Sequence, residues 1–377
     1  MPGSNAADED WDLLLSFFPS DWMTLARRSS ALKGLRQDKS AENLLRVLLL
    51  HLGCGYSMRE TVVRAKEANL ADLSDVALLK RLRKSKDWLY QLCCGLFAER
   101  GFQSAASGQP MLRLVDSTVV QEPGKTGALW RIHYSFHWPT LVCDYFEVTG
   151  CKGTGTGETL RHYPIRAGEY VLADRGYCKA SGIHFAVSKG AYLTVRLSPQ
   201  SIRLQEQDGS PFALLARLQS INKTGELGAW KVWIPLQGHY PLAARLCVLR
   251  KSEAAIALAQ KKARRKSRKN GYQQLQSETL FYAQFVMVLS TFPEEDFTSA
   301  QVLQCYRYRW QIELVFKRFK QIAQLGHLPK YHDESAKAWL YGKLFVALLT
   351  EKLIQHARAV SPWGYELQVQ TSSQSMA

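Results

Sequence analysis

No CxxC pair occurs in this sequence, and no His/Cys neighbours fall at zinc-ligand spacing. Its eight cysteines (Cys54, Cys93, Cys94, Cys143, Cys151, Cys178, Cys247, Cys305) are scattered through a long chain. That excludes a disulfide-stapled scaffold and suggests reduced thiols in a cytosol. Long hydrophobic runs are missing too. Stretches such as Phe285–Leu289 and Leu344–Leu349 fall far short of the ~18–20 apolar residues a membrane span needs. The opening MPGSNAADEDWDLLLSFF is acidic where a secretory leader would be basic, so no export signal is read. There is no internal repeat and no low-complexity segment beyond a polar tail, TSSQSMA. Hydrophobic content of 46% and charged content of 22% exclude disordered and collagen-like classes.

What the chain has in excess is positive charge. Forty-nine Lys and Arg stand against 33 Asp and Glu, a net +16 in 377 residues. Such a balance favours a polyanionic partner, with nucleic acid first and an anionic membrane surface second. A basic binding protein without catalysis would look the same. The length suggests about two or three domains.

From about residue 21 to 100 the pattern is helical, with apolar residues three and four apart in AENLLRVLLLHL and DVALLKRLRKSKDWLYQLCCGLF. Between them Ser57, with Glu60 three residues on, and Ser74 read as helix caps. This arrangement suits a helix-turn-helix reader, with Lys80, Arg81, Arg83 and Lys84 near the DNA backbone. It suits an ordinary antiparallel helix pair with a solvated basic face equally well. At Met111 the texture changes to short strands: MLRLVDSTVV, WRIHYSF, CDYFEVTG, then EYVLADRGY and AYLTVRL alternating with helical segments. This order predicts an α/β layer architecture with a mixed sheet. Residues 200–275 hold two further strands and a helix in which seven of the nine residues Lys261–Lys269 are basic. The spacing then predicts a strand over SETLFYAQFVMVLST, a long helix capped by Thr298, and a last helix from about Ser335 to Val360.

Two aspartates follow apolar runs: Asp116 in LRLVDST and Asp174 in YVLADRGY. A carboxylate in such a place is costly unless it is solvated, paired or bound to metal; either aspartate alone also reads as a turn former or cap. The long helix supplies a third acid. With ~100° per residue and Tyr306 at 0°, Arg309 falls near 300°, Glu313 near 340° and Lys320 near 320°. A stripe of Tyr308, Ile312, Val315, Phe316 and Phe319 at roughly 180–280° is expected to pack on the sheet. The row from Tyr306 to Lys320 is ~21 Å long and can follow several phosphates, although Arg309–Glu313 also fits a plain i,i+4 salt bridge.

The spacing Tyr306-x2-Arg309-x3-Glu313-x6-Lys320 resembles the YREK signature of the IS-four family of insertion-sequence transposases. Asp116 within VDST and Asp174 within ADRGY, followed by Gly176 and Tyr177, resemble its two aspartate motifs. The likeness spans about residues 20–365. It implies an RNase H-like core at 106–199 and 276–360, a β-rich insertion with a basic helix at 200–275, a helical DNA-binding domain at 1–105 and a tail at 361–377. It also implies that Asp116, Asp174 and Glu313 are catalytic and hold two Mg²⁺ ions, with Mn²⁺ as a substitute. Three hard carboxylate oxygens suit those ions.

Tyr306, Arg309 and Lys320 would clamp phosphate. By the same resemblance Phe285 would grip a flipped base, although a plain core aromatic is the alternative. Lys261, Lys262, Arg264, Arg265 and Lys266 would meet the DNA backbone, and Arg175 is structural or a phosphate contact. The implied activity is metal-dependent cleavage and strand transfer at terminal inverted repeats of double-stranded DNA. A homodimer would assemble on paired ends, in a bacterial cytoplasm and without membrane association. Relatives often continue past the helix after YREK, so a shortened DNA-binding relative acting as an inhibitor is the alternative expectation. A general RNase H-like nuclease is a third.

Overall fold

The structure, a computed structural model, describes residues 6–35, 40–98, 112–121, 128–138, 142–153, 156–269, 276–310, 313 and 333–359. They fall into two compact units. Residues 1–102, 120–127 and 317–377 form one, and 103–119 with 128–316 form the other.

The first unit is helical. It contains α1 (Ala6–Leu15), α2 (Trp22–Arg28), α3 (Ala41–Leu52), α4 (Met58–Glu67), α5 (Asp75–Lys84) and α6 (Lys86–Ala98), together with α12 (Asp333–Ala359). Ser40, Ser57 and Ser74 each cap a helix by accepting from the backbone N–H three residues on, which satisfies one of the orphan donors at a helix start. The last helix was expected to belong to the catalytic core, but it packs on α6, α5 and α3. Its Leu340, Leu344, Phe345 and Leu348 are buried. Gly342 permits the closest approach, since a Cβ there would lie 2.4 Å from a Leu52 methyl. The basic residues of α5 are largely committed within the fold. Arg81 donates to the carbonyls of Lys33 and Gly34, Lys84 to Lys33, and Arg83 to the Ser335 hydroxyl. Only Lys80 of the four expected DNA contacts has no such bond described.

The second unit is one eight-stranded mixed sheet. Its strands are β1 (Leu112–Gln121), β2 (Ala128–Trp138), β3 (Val142–Gly150), β4 (Tyr170–Ala173), β5 (Tyr192–Arg196), β6 (Leu227–Leu236), β7 (His239–Arg250) and β8 (Phe285–Ser290), in the order β3-β2-β1-β4-β5-β8-β7-β6. β1, β4 and β5 run parallel, while β8, β7 and β6 continue antiparallel. The run of five strands from β3 to β5, with parallel neighbours at β1-β4-β5, fits the RNase H-like expectation. β6 and β7 extend the same sheet. The helices of this unit are α7 (Ala180–Ser188), α8 (Leu214–Gln219), α9 (Glu253–Lys269), α10 (Ser277–Tyr282) and α11 (Ser299–Tyr308).

One expected element splits. SETLFY is α10 rather than the first half of a strand, and β8 begins only at Phe285. Phe281 and Tyr282 from α10 pack against the sheet's core. Lys251 and Gln260 donate to the carbonyls of Ala283 and Leu280, so side chains, rather than a strand ladder, satisfy these groups.

A buried guanidinium ties the sheet's first strands together. Arg113 of β1 is 1% exposed. It lies 2.8 Å from Asp144 and 2.9 Å from Glu169, and donates to the Pro164 carbonyl and the Ser135 hydroxyl. Burial works to raise the Asp144 carboxyl's pKa. The hydrogen bond from His137 and the charge of Arg113 outweigh it and hold that carboxyl below the usual range.

Arg113→Met is expected to cost about 3–5 kcal/mol in denaturant unfolding, because two carboxylates lose their buried partner. A depressed carboxylate stabilises above its unfolded pKa of ~3.9 and loses that contribution as pH falls through the folded value. The difference between Arg113→Met and the parent should therefore narrow as the pH is lowered below about 4.

Candidate active site

Parallel pairing sets the two aspartates side by side. The β1–β4 register runs from Leu112↔Tyr170 to Val115↔Ala173 and stops there. Asp116 and Asp174 are therefore the next residue on each of two neighbouring strands. Asp116 sits in the middle of β1; what ends before it is the pairing with β4, not the strand. The Ser117 N–H donates to Asp116 Oδ1 at 2.7 Å, and the Tyr163 hydroxyl donates to the Asp116 carbonyl at 2.6 Å. Tyr163 in turn meets the Tyr177 hydroxyl at 2.9 Å, so the ADRGY tyrosine braces the backbone of the other aspartate.

The third acid, Glu313, follows five residues beyond the end of α11. Thr298 and Gln301 form a reciprocal capping box that fixes where this helix starts. Its buried residues are Val302, Leu303 and Tyr306, centred on the face that also carries Arg309. The expected division between a packing stripe and a functional row does not hold over these residues, because that row itself faces inward. Ile312, Val315, Phe316, Phe319 and Lys320 lie outside the described residues. Tyr306, expected on phosphate, donates to Asp174 Oδ1 at 3.4 Å. Tyr308 stacks on Trp138 at the end of β2, with ring centroids 4.7 Å apart.

Arg309, 12% exposed in its side chain, stands among three carboxylates. Its guanidinium lies 3.7 Å from Asp116 Oδ2, 3.9 Å from Asp174 Oδ1 and 2.5 Å from Glu313 Oε1. Burial lowers its pKa, but Tyr306, Asp174 and Glu313 raise it on balance. Asp116 is pushed up to about 7, first by burial and then by the neighbouring charges of Asp174 and Glu158, against the pull of Ser117 N–H and Arg309.

Glu158 was not foreseen. It is held by Arg131 at 3.1 Å and meets the Ser117 hydroxyl at 3.5 Å. Its carboxyl group passes over Gly176, where a Cβ would lie 1.5 Å from Oε2. Gly176 of the ADRGY motif is thus required by close approach. With Glu158 matched by Arg131, three acids share the single charge of Arg309, so they outweigh it even with Asp116, pushed up to about 7, only part-ionised at neutral pH. This deficit and the all-oxygen donor set fit a divalent cation. The three carboxylates surround the guanidinium without themselves closing to within one ion's reach. Among the described residues the only His, Cys, Asp or Glu trio with donor atoms within 4.8 Å of one another lies elsewhere.

A basic cavity of about 480 Å³ is lined by Arg175, Arg196, Lys251, Lys262 and Lys266. Arg196 and Arg175 also act electrostatically on Tyr306, which sets the cavity beside the acids. Burial, followed by the charges of Arg196 and Arg175, brings Lys251 down to about 8. Arg196 and Lys251 were missed because each sits singly at a strand end, whereas the basic run on α9 announces itself. Lys261, Arg264 and Arg265 are exposed on α9. Phe285 is 1% exposed and packs against Phe281, so it is a core aromatic and does not reach a base. Trp310, beside Arg309, is 52% exposed.

Residues 151–349 match the family described as the transposase DDE domain. The chain is 32% identical over 358 residues to the putative transposase InsL for insertion sequence element IS186A of Escherichia coli (strain K12), covering 93% of this chain and 95% of that one. It is 32% identical over 359 residues to the transposase for insertion sequence element IS421 of Escherichia coli, with the same two coverages. Among solved structures, the piggyBac transposase synaptic complex with hairpin DNA aligns with a TM-score of 0.48 and 10% identity, over 92% of this chain and 75% of that chain.

Gly176→Ala is expected to displace the Glu158 carboxylate from Arg131 and Ser117, at a cost of about 1 kcal/mol. In a Glu158→Ala background the same glycine change should be nearly neutral. A double-mutant cycle by urea unfolding measures this coupling.

Proposed function

The chain belongs to the DDE transposases of insertion sequences, and from that premise we propose that Asp116, Asp174 and Glu313 form the site at which it cuts and rejoins DNA. The family is divalent-metal dependent; in this reading the ions are two Mg²⁺, replaceable by Mn²⁺, held by these three side chains. Bound there, they would polarise the phosphodiester and acidify the attacking hydroxyl. One observation carries the reading. A single guanidinium, Arg309, touches all three acids although they lie 58 and 139 residues apart in sequence.

The chemistry is phosphoryl transfer without a covalent protein intermediate. Water attacks the phosphorus at the element's end and the bond to the 3′-oxygen breaks, leaving a 3′-hydroxyl. That hydroxyl then attacks a phosphorus of target DNA. The protein's own part is positional. Tyr306 holds Asp174 by its hydroxyl, and Tyr163 holds the Asp116 backbone. Arg309 offers a planar fork of donors suited to a phosphate. Arg175, Arg196, Lys251, Lys262 and Lys266 supply a cationic wall along which a DNA strand can run. The exposed Trp310, rather than Phe285, is the aromatic available for stacking on a base. Two copies on two paired ends complete the proposal, which rests on the two-ended substrate of such elements. The inhibitor alternative rested on a short C-terminus; the IS186A and IS421 proteins are matched over 95% of their own length, so nothing in that comparison favours it. Among the described residues no helix is long and apolar enough to cross a membrane.

Asp116→Asn, Asp174→Asn and Glu313→Gln should each abolish Mg²⁺-dependent nicking of terminal inverted-repeat DNA while leaving binding largely intact. A variant that nicks at the parental rate removes its residue from the assignment. Equal cutting of DNA without the repeats would favour the general-nuclease reading. Arg196→Ala and Lys251→Ala are expected to weaken binding and flatten the slope of log K against log salt by about 0.9 for each phosphate no longer neutralised. An unchanged slope in filter-binding titrations would place the DNA elsewhere.

A further inference from the structure

Three residues outside the carboxylate site bring two imidazoles and one carboxylate together. His133 on β2 is the direct cross-strand partner of Glu147 on β3, so their side chains share one face. His162 ends the short 3-10 turn Leu160–His162, and its Nδ1 lies 2.8 Å from Glu147 Oε2. The rings of His133 and His162 are stacked, with centroids 3.9 Å apart. One donor atom from each of the three residues lies within 4.8 Å of the others.

The independent observation is an orphaned atom. His133 is fully buried. Its Nε2 is bonded to the Thr149 hydroxyl at 2.9 Å, whereas its Nδ1 is buried with no hydrogen-bond partner. A buried polar atom without a partner costs about 1–3 kcal/mol. With Nε2–H donating to Thr149, Nδ1 carries an unshared pair in a cluster whose other members are an imidazole and a carboxylate. Arg131, whose charge acts on His133, is already matched by Glu158.

We propose that His133, Glu147 and His162 form a second metal site, selective for a borderline transition ion such as Zn²⁺, that fastens the Leu160–His162 turn to β2 and β3. Two nitrogens and a carboxylate oxygen form a typical three-residue zinc set, with a fourth position left for water. Imidazole-rich donors favour Zn²⁺ over Mg²⁺, which prefers oxygen. The Thr149 hydroxyl supplies the outer-shell partner that fixes the His133 tautomer. At Zn–N distances of ~2.0–2.1 Å, donors in a tetrahedral site sit about 3.3 Å apart. The two rings must therefore leave their stacked arrangement so that both in-plane lone pairs converge on the ion, and His162, on a half-exposed turn, can do so. The consequence reaches the catalytic acids, because the next residue, Tyr163, donates to the Asp116 carbonyl. The site is a positioning device for β1.

The test uses the full, untagged chain stripped of metal and titrated with Co²⁺, then with Zn²⁺. Nitrogen-ligated tetrahedral Co²⁺ absorbs strongly in the visible range, whereas an all-oxygen site does not. The expected result is one equivalent of strongly absorbing Co²⁺, displaced by Zn²⁺. The band should persist in Asp116→Asn/Asp174→Asn and be lost in Glu147→Gln and His162→Gln, whose zinc affinity should fall by at least about 100-fold. These two positions are partly exposed, so their variants avoid the risk of unfolding that a change at His133 carries. Absence of the band in the parent chain overturns the proposal. So does its survival in both Glu147→Gln and His162→Gln, or its loss in the aspartate double variant.

Discussion

Negative charge gathered where paired strands part company is the constraint around which the second unit is built. Asp116 and Asp174 lie one residue past the last β1–β4 pair on neighbouring parallel strands, and Glu313 follows five residues beyond the end of α11. Close-set carboxylates repel one another, and burial raises the cost of each charge. Arg309 holds this cluster together, but its single charge does not neutralise it. The surroundings are arranged to keep the acids in place: Ser117 N–H on Asp116, Tyr306 on Asp174, Tyr163 beneath the Asp116 carbonyl. The site is stable enough to persist and short of positive charge, a condition suited to a divalent ion and a phosphate that come and go.

The same strand solves a second electrostatic problem on its opposite side. By strand alternation, Arg113 and Asp116 point to opposite faces of β1. Arg113 is neutralised by Asp144 and Glu169 and gathers β1, β2, β3 and the approach to β4. One face of β1 therefore carries a satisfied charge network that specifies register. The other carries an unsatisfied one, the site proposed for DNA cleavage. The β6–β7 hairpin widens the sheet, and α9 with its basic residues contributes Lys262 and Lys266 to the cavity beside the acids.

Much of this was legible in the sequence because it is local. The serine caps, the Thr298 start, the strand texture after Met111 and the two aspartate motifs each lie within a short window. The spacing of Tyr306, Arg309 and Glu313 is set by helix geometry and needed no tertiary information. What escaped reading depends on distant partners. Whether SETLFY is strand or helix turns on side-chain donors from Lys251 and Gln260. The inward face of α11 was misjudged because a hydrophobic stripe usually marks the buried side, and here a Tyr and an Arg share it. Phe285 looked available and is core, because β8 sits between β5 and β7 in the sheet. Glu158 and Gly176 make sense only as a pair, and no window of sequence contains their contact.

The pairing of β5 with β8 carries a cost during synthesis. Thr194 and Ser290 are partners separated by 96 residues. A ribosome adding ~5–20 residues per second takes roughly 5–20 s to supply the second strand. Throughout that delay Leu193 and Val195 form an uncovered apolar edge, open to unwanted strand addition. Arg309 emerges later still, so the two aspartates wait without their counter-charge. The nascent chain therefore cannot bring the proposed site together until after this edge is covered.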